Sequence, residues 1–367
     1  MTFTEILQPI PGVLLPWYDR HRRTLPWREE VSPYRTWVSE IMLQQTRVQA
    51  VMPYFSRFLD AAPDILTLSR LPEEQLMRLW QGLGYYSRAR NLQRAAQVMV
   101  AQHGGCMPQT YNELIKLPGV GDYTAGAILS IAFNQAVPAV DGNVLRIAAR
   151  LTACGENVLD TRTRDKFRRA LADVMPTRRP GDFNQALMDL GAEICLPKKP
   201  KCDVCPAANH CRARAAGIQD TLPLREKSTA RPTDRLTVFV LTRQDGKTAI
   251  RRRGDSGLLA GLWEFPHAEG ELPETLAAQQ LSAWGLRVRG WRRTLRAAHQ
   301  FTHRRWEMTG YLLDVEGDGE PDWLWADEAA MEAKAIPSAF KAFTAALREE
   351  SSENQRINEK IAINTVN

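Results

Sequence analysis

The sequence predicts two domains of different class, an all-α domain over residues 1–225 and an α+β domain over residues 234–347. Three observations predict this. In the first two-thirds of the chain apolar residues recur at intervals of three and four, as in residues 65–80, 92–101 and 124–133, the period of helices with one buried face. Breakers fall between these stretches at Pro63, Pro72, Gly82, Gly84, Gly104–Gly105 and Pro118–Gly121, so about ten short helices are expected. Past residue 226 the pattern changes to strand-like runs at 236–242, 248–253, 291–299 and 306–315, with helical stretches at 273–284 and 337–349.

Between the two patterns, residues 226–233 are polar with one proline and read as a linker. Residues 348–367 are polar and read as a disordered tail. The helical part is therefore taken as one domain that includes the cysteine-rich stretch 195–211.

The chain has 367 residues and a net charge of +6. The excess is uneven: residues 1–230 hold 29 Lys and Arg against 22 Asp and Glu, and the remainder 19 against 20. A polyanionic partner for the helical domain fits this distribution but is not required by it. The first residues lack a basic segment before an apolar run and carry three prolines by position 16, which argues against a secretory signal. No stretch approaches the roughly 20 apolar residues of a membrane-spanning helix. The expectation is a cytosolic monomer with no membrane partner, whose six cysteines are reduced.

Four of those cysteines, Cys195, Cys202, Cys205 and Cys211, form C-x6-C-x2-C-x5-C. Thiolates this close can wrap one metal centre, either zinc or an iron–sulfur cluster. A single CxxC pair leans toward iron–sulfur without excluding zinc. Lys198, Lys199, Lys201, Arg212 and Arg214 surround the cysteines and could meet phosphates. A second motif, Leu117-Pro-Gly-Val-Gly-Asp-Tyr-Thr-Ala-Gly126, combines a tight turn with a helix start. The backbone amides of Gly119 and Gly121 can then face one phosphate.

Together with Val140-Asp141-Gly142-Asn143, these motifs resemble, in order, those of the helix-hairpin-helix DNA glycosylases of the endonuclease III superfamily. Within that superfamily the chain resembles the MutY family of adenine DNA glycosylases. The segment Trp37-Val-Ser-Glu-Ile-Met-Leu-Gln-Gln-Thr46 is similar to the one that holds the family's general acid. Residues 79–90 (LWQGLGYYSRAR) resemble its duplex-wedging segment. Tyr123 stands where the bifunctional lyases carry a Schiff-base lysine, and a second domain follows the cysteines. The resemblance implies one [4Fe-4S] cluster on the four cysteines. It also implies a nucleoid-associated, monofunctional base-excision repair enzyme. Such an enzyme flips adenine out of duplex DNA containing A:8-oxoguanine or A:G mispairs and hydrolyses its glycosidic bond.

Breaking that bond needs a proton for the departing base and an anion for the sugar cation. Glu40 lies in an apolar segment, where desolvation keeps a carboxyl protonated. The resemblance makes it the acid that protonates adenine and later activates water. Asp141 follows an apolar run and precedes a glycine, and the resemblance makes it the stabiliser of the sugar cation. Tyr123 and Asn143 are expected to position Asp141 and the sugar. Gln45, Thr46, Leu83 and Tyr85 match positions that enter the duplex or face the opposing base, and Arg23 and Arg28 join the expected DNA contacts.

Residues 234–345 resemble the family's MutT-like domain, related to Nudix hydrolases, most clearly at Gly257-Leu-Leu-Ala-Gly-Leu-Trp-Glu-Phe-Pro266. The stretch 273–284 offers only Glu274 where hydrolysis needs several metal-binding glutamates. A recognition module without hydrolase activity is expected. Phe301, Thr302 and His303 occupy a turn where the family's Phe-Ser-His loop reads 8-oxoguanine, with Thr in place of Ser. Two other functions compete. One is a glycosylase for another base, such as mismatched thymine, and the other is a non-catalytic iron–sulfur DNA-binding module.

Overall fold

The computed structural model describes residues 1–225, 232–254, 257–301 and 304–350. Thr302, His303, most of the expected linker and residues 351–367 lie outside the described residues. The chain forms two compact units, Met1–Pro72 with Ser87–Ser228 and Glu73–Tyr86 with Thr229–Asn367.

This corrects the expected boundary at one place. Glu73–Tyr86 lies within the helical region of the sequence but groups with the second unit. There Glu74 pairs with Lys334 at 2.7 Å and Glu73 with Arg252 at 3.7 Å.

The first unit is helical, with no strand among its described residues. Fourteen α-helices lie between Phe3 and Ala215, all but Glu73–Trp80 in this unit, more than the expected ten because the breakers cut finely. The periodic stretch 65–80, for instance, becomes Ile65–Arg70 and Glu73–Trp80, with Asp64 capping the first. The stretch 124–133 becomes the helix Asp122–Ala127 followed by a π-helical turn, Ile128–Ala132. One core cluster joins Ile10–His21, Gly142–Thr152, Thr161–Asp173 and Pro180–Glu193 through Leu14, Ile147, Leu171, Phe183 and Leu187. Burying each such side chain contributes about 1.5–3 kcal/mol against the entropy of ordering it. Cys195, Cys205 and Cys211 pack against the same cluster, so the cysteine loop rests on the core.

The helix Pro33–Leu43 starts as its sequence dictates. The Ser32 side chain accepts from the Arg35 amide, and Pro33 occupies the first turn, where its missing N–H costs nothing. The helix buries Trp37, Val38, Ile41 and Met42, and with them Glu40. At its other end the Arg88 guanidinium takes the carbonyls of Ile41, Met42 and Gln44 at 2.6–2.8 Å.

The second unit carries a seven-stranded sheet with the path β3-β2-β1-β6-β5. Its strands are β1 (Thr233–Thr242), β2 (Thr248–Arg252), β3 (Trp263–Glu264), β4 (His267–Glu269), β5 (Arg287–Gln300), β6 (Arg305–Glu316) and β7 (Trp323–Ala326). β1 and β6 run parallel, and the remaining pairs are antiparallel. The four expected strands are β1, β2, β5 and β6. The three shorter ones have too few residues to show an alternation. The helix Glu274–Ala283 packs on one face through Ala277 and Leu281. The expected tail begins too early, because residues 341–350 are helical. Arg348 pairs there with Glu332 at 2.8 Å and Glu349 with Arg293 at 3.1 Å.

Candidate active site

Glu40, Tyr123, Asp141, Asn143 and Thr46 line one cavity of about 160 Å³ in the first unit. That is below the about 300–1,000 Å³ of drug-sized sites and on the scale of one flat heterocycle. Glu40 is 4% exposed, and its Oε2 accepts from the Tyr123 hydroxyl at 2.6 Å. Burial pushes the Glu40 carboxyl up to about 7; the Tyr123 hydrogen bond and Arg28 pull against it, and Asp141 adds to it. Burial and the nearby Glu40 charge hold the Tyr123 phenol well above its usual value, so it is a donor at neutral pH.

Asp141 is the N-cap of the helix Gly142–Thr152. Its Oδ1 accepts from the amides of Asn143 at 2.9 Å and Val144 at 2.8 Å, and its Oδ2 from Asn143 Nδ2 at 2.9 Å. Burial raises this carboxyl too, but the hydrogen bonds from Val144 and Asn143 and the Arg146 charge pull against it. Three N–H donors and a helix N-terminus favour the anion. Glu40 has one hydroxyl donor and no helix terminus. Two carboxyls in one cavity therefore titrate apart, the arrangement that separates an acid from an anion.

Asn143 carries this order toward the cysteines. Its Oδ1 accepts from Arg146 Nη2 at 3.0 Å, and Arg146 also donates to the carbonyls of Gly191 at 2.7 Å and Cys195 at 2.8 Å. Gly191 is needed here because a Cβ on it would stand 2.8 Å from Asn143 Cβ.

Residues 38–176 match the family model described as the HhH-GPD superfamily of base excision DNA repair proteins, and residues 237–346 match a NUDIX domain. A human adenine DNA glycosylase is 34% identical over 90% of this chain and 72% of its own length. The chain belongs to the adenine DNA glycosylase family. An Arabidopsis thaliana member is 42% identical over 71% of this chain, which spans about half (47%) of that relative. A solved thermostable thymine-DNA glycosylase covers 58% of this chain at 26% identity and a TM-score of 0.54.

The four cysteines of the loop 195–211 sit in a cationic setting. All four cysteines border a cavity of about 30 Å³. Arg150, 2% exposed, donates to Cys195 Sγ at 3.3 Å and otherwise to the carbonyls of Leu196, Pro197 and Leu222. Arg146 is 4% exposed, and among the described residues its hydrogen bonds likewise go to no carboxylate, with Asp141 acting on it only through space. Burial pushes the Cys205 thiol up to about 11 and also raises Cys202 and Cys211. Two buried guanidiniums beside four thiols call for an anionic centre.

The other expected DNA contacts stand as follows. Gln45 is exposed at the end of the Pro33–Leu43 helix in a left-handed conformation (φ 57°), and Arg88 holds the Thr46 hydroxyl at 3.1 Å. In the second unit, Leu83 is buried and Tyr85 is exposed with φ 51°. Trp80 Nε1 closes that turn onto the Gly84 carbonyl at 3.1 Å. A non-glycine residue in this region is uncommon, and here the turn around it is closed by the Trp80 hydrogen bond. Gly119 has φ 77°, and a Cβ there would meet Asn91 Cβ at 2.8 Å, while Gly121 caps the helix Asp122–Ala127 in open space. Phe301 stacks edge-on against Trp306 at 4.9 Å and His299 at 4.6 Å.

Arg23 and Arg28, expected among the DNA contacts, have a partner inside the protein. Both point at Asp189, which is 0% exposed. The sequence reading missed Asp189, along with Gln185 and Met188 of the same helix, which line the cavity. A charged residue inside the apolar run Ala186–Leu190 was the available signal.

Proposed function

We propose that this protein removes adenine mispaired with 8-oxoguanine, and with guanine, from duplex DNA by base flipping and hydrolysis, without lyase action. The observation that carries the reading is the pair of carboxyls set differently on one heterocycle-sized cavity, Glu40 buried with a single hydroxyl donor and pushed up to about 7, Asp141 held by three N–H donors at a helix N-terminus. With adenine in the cavity, the Glu40 carboxyl gives its proton to the base as the C1′–N bond breaks and the bonding electrons leave with adenine. Asp141 stabilises the positive charge that develops on the sugar. Water then adds to C1′ and its proton returns to Glu40. Tyr123 holds Glu40 in place and offers no amine for a Schiff base.

Gly119 and Gly121 supply phosphate contacts in this reading, Gln45, Thr46, Leu83 and Tyr85 the contacts that open the duplex, and Phe301, Thr302 and His303 the reading of 8-oxoguanine. The second domain acts as a recognition module, because its helix Glu274–Ala283 carries a single glutamate. The test is strand cleavage after alkali on duplexes holding A:8-oxoguanine, A:G, A:C and T:G. Product is expected from A:8-oxoguanine first and A:G next. Product from T:G alone contradicts the proposal.

A [4Fe-4S] cluster on Cys195, Cys202, Cys205 and Cys211 fits the cysteine loop, since four thiolates around such a cluster supply negative charge beside buried Arg150, whose hydrogen bonds otherwise go to carbonyls. When bound, it fixes the loop against the core. Cys202→Ser is expected to cost the brown colour and to lower the thermal midpoint by roughly 5–10 °C, the effect of losing about 2–3 kcal/mol. A colourless wild-type protein that retains zinc contradicts the iron–sulfur assignment.

A further inference from the structure

Arg23 and Arg28 line the same cavity as Glu40, an acid that must keep its proton. A guanidinium free to reach Glu40 would ionise it, since an opposite charge within about 4–6 Å lowers a carboxyl by about 1–3 pH units. The structure shows what occupies these arginines. Asp189 Oδ2 accepts from Arg28 Nη1 at 2.8 Å, and its Oδ1 from Arg28 Nη2 at 3.0 Å and Arg23 Nε at 2.7 Å. The Arg23 amide adds a longer bond at 3.4 Å. Arg28 also donates to the Arg23 carbonyl at 3.3 Å and lies over the Tyr18 ring at 5.7 Å. Both prongs of its fork are therefore spent on a carboxylate with no solvent exposure, the geometry in which such pairs are strongest.

We propose that Asp189 is a positioning residue of this active site, a competing carboxylate that holds Arg28 on itself and so keeps it from pairing with Glu40. The inference rests on the reading of Glu40 as the acid. The charged and titratable groups facing Glu40 are Tyr123 from the helix Asp122–Ala127, Asp141 from the N-cap of Gly142–Thr152, and Arg28 from Pro26–Glu29. Arg28 is the cation that acts on Glu40, and Asp189 decides where it points; Arg23 also lines the cavity and is held on the same Asp189. A purely structural Asp189 would affect stability and leave Glu40 titrating as before.

The test reads Glu40 directly in the full-length protein, by the ¹³C carboxyl resonance of labelled glutamate, assigned by its absence in Glu40→Gln. In Asp189→Asn the released guanidinium turns to the remaining carboxylates, and the Glu40 midpoint falls by at least about one pH unit. Single-turnover adenine release falls about fivefold with it at pH 7, and about tenfold only at pH values well above both midpoints, as the protonated share of the acid drops. In Arg28→Met the midpoint rises. The double variant follows Arg28→Met, because Asp189 acts through Arg28. An unchanged or raised midpoint in Asp189→Asn, or a double variant that follows Asp189→Asn, overturns the proposal. Should Asp189→Asn fail to fold, Arg28→Met decides alone, and an unchanged midpoint there overturns it. Midpoints that move as stated in a protein releasing no adenine sink the glycosylase reading and leave the role of Asp189 standing.

Discussion

Glu40→Gln is expected to leave a folded, DNA-binding protein whose single-turnover adenine release is about 10²–10⁴-fold slower, the range lost with a general acid. Gln matches Glu in size and still accepts from the Tyr123 hydroxyl, so the change removes the proton and little else. The same variant is expected to gain stability at alkaline pH. The Glu40 carboxyl sits at about 7 in the folded protein against 4.5 for the free side chain. A carboxyl raised by folding favours the native state at low pH, and this advantage is lost as pH rises from the unfolded value through about 7. Gln does not titrate. Its stability over wild type should therefore be near zero at about pH 4 and grow to about 3 kcal/mol above pH 7, on the order of 1.4 kcal/mol per pH unit of separation. Thermal unfolding at both ends of that range checks the sign. A wild type that becomes more stable than the variant as pH rises contradicts it.

Asp141→Asn is expected to cost a similar amount of activity by a different route. Asn is as good an N-cap as Asp, so the helix Gly142–Thr152 should keep its first turn. What disappears is the negative charge beside the sugar, and removing such a preorganised group costs on the order of 10²–10³-fold in rate. Asn143 Nδ2, which donates to Asp141 at 2.9 Å, would meet an amide whose orientation is not fixed by charge. Affinity for mispaired DNA should change little. A variant that loses binding in step with excision would show that Asp141 holds the duplex rather than the transition state.

The fold class was legible because both signals are long enough to read: the helical period over 92–101, and the short β-branched and aromatic run over 236–242, buried from Leu236 to Leu241. What escaped was decided by packing. Glu73–Tyr86 reads as one more helix of the first domain, yet it belongs with the second unit through residues more than 150 positions away, such as Lys334. The two carboxyls of the site were legible from their apolar flanks and the glycine after Asp141. The division of labour between them was not, since it depends on three N–H donors at Asp141 and one hydroxyl at Glu40. The pairing of Arg23 and Arg28 with Asp189 was not legible, because a sequence shows charge but not partners and Asp189 lies over 160 residues away.

The most direct test of a protonated Glu40 beside an anionic Asp141 is the pH dependence of single-turnover adenine release from an A:8-oxoguanine duplex. The rate should fall on the alkaline side with a midpoint near 7, as Glu40 loses its proton. A second, acidic limb should appear as Asp141 gains one. A rate that stays flat or rises between about pH 6 and 8 would contradict the assignment of Glu40 as the acid.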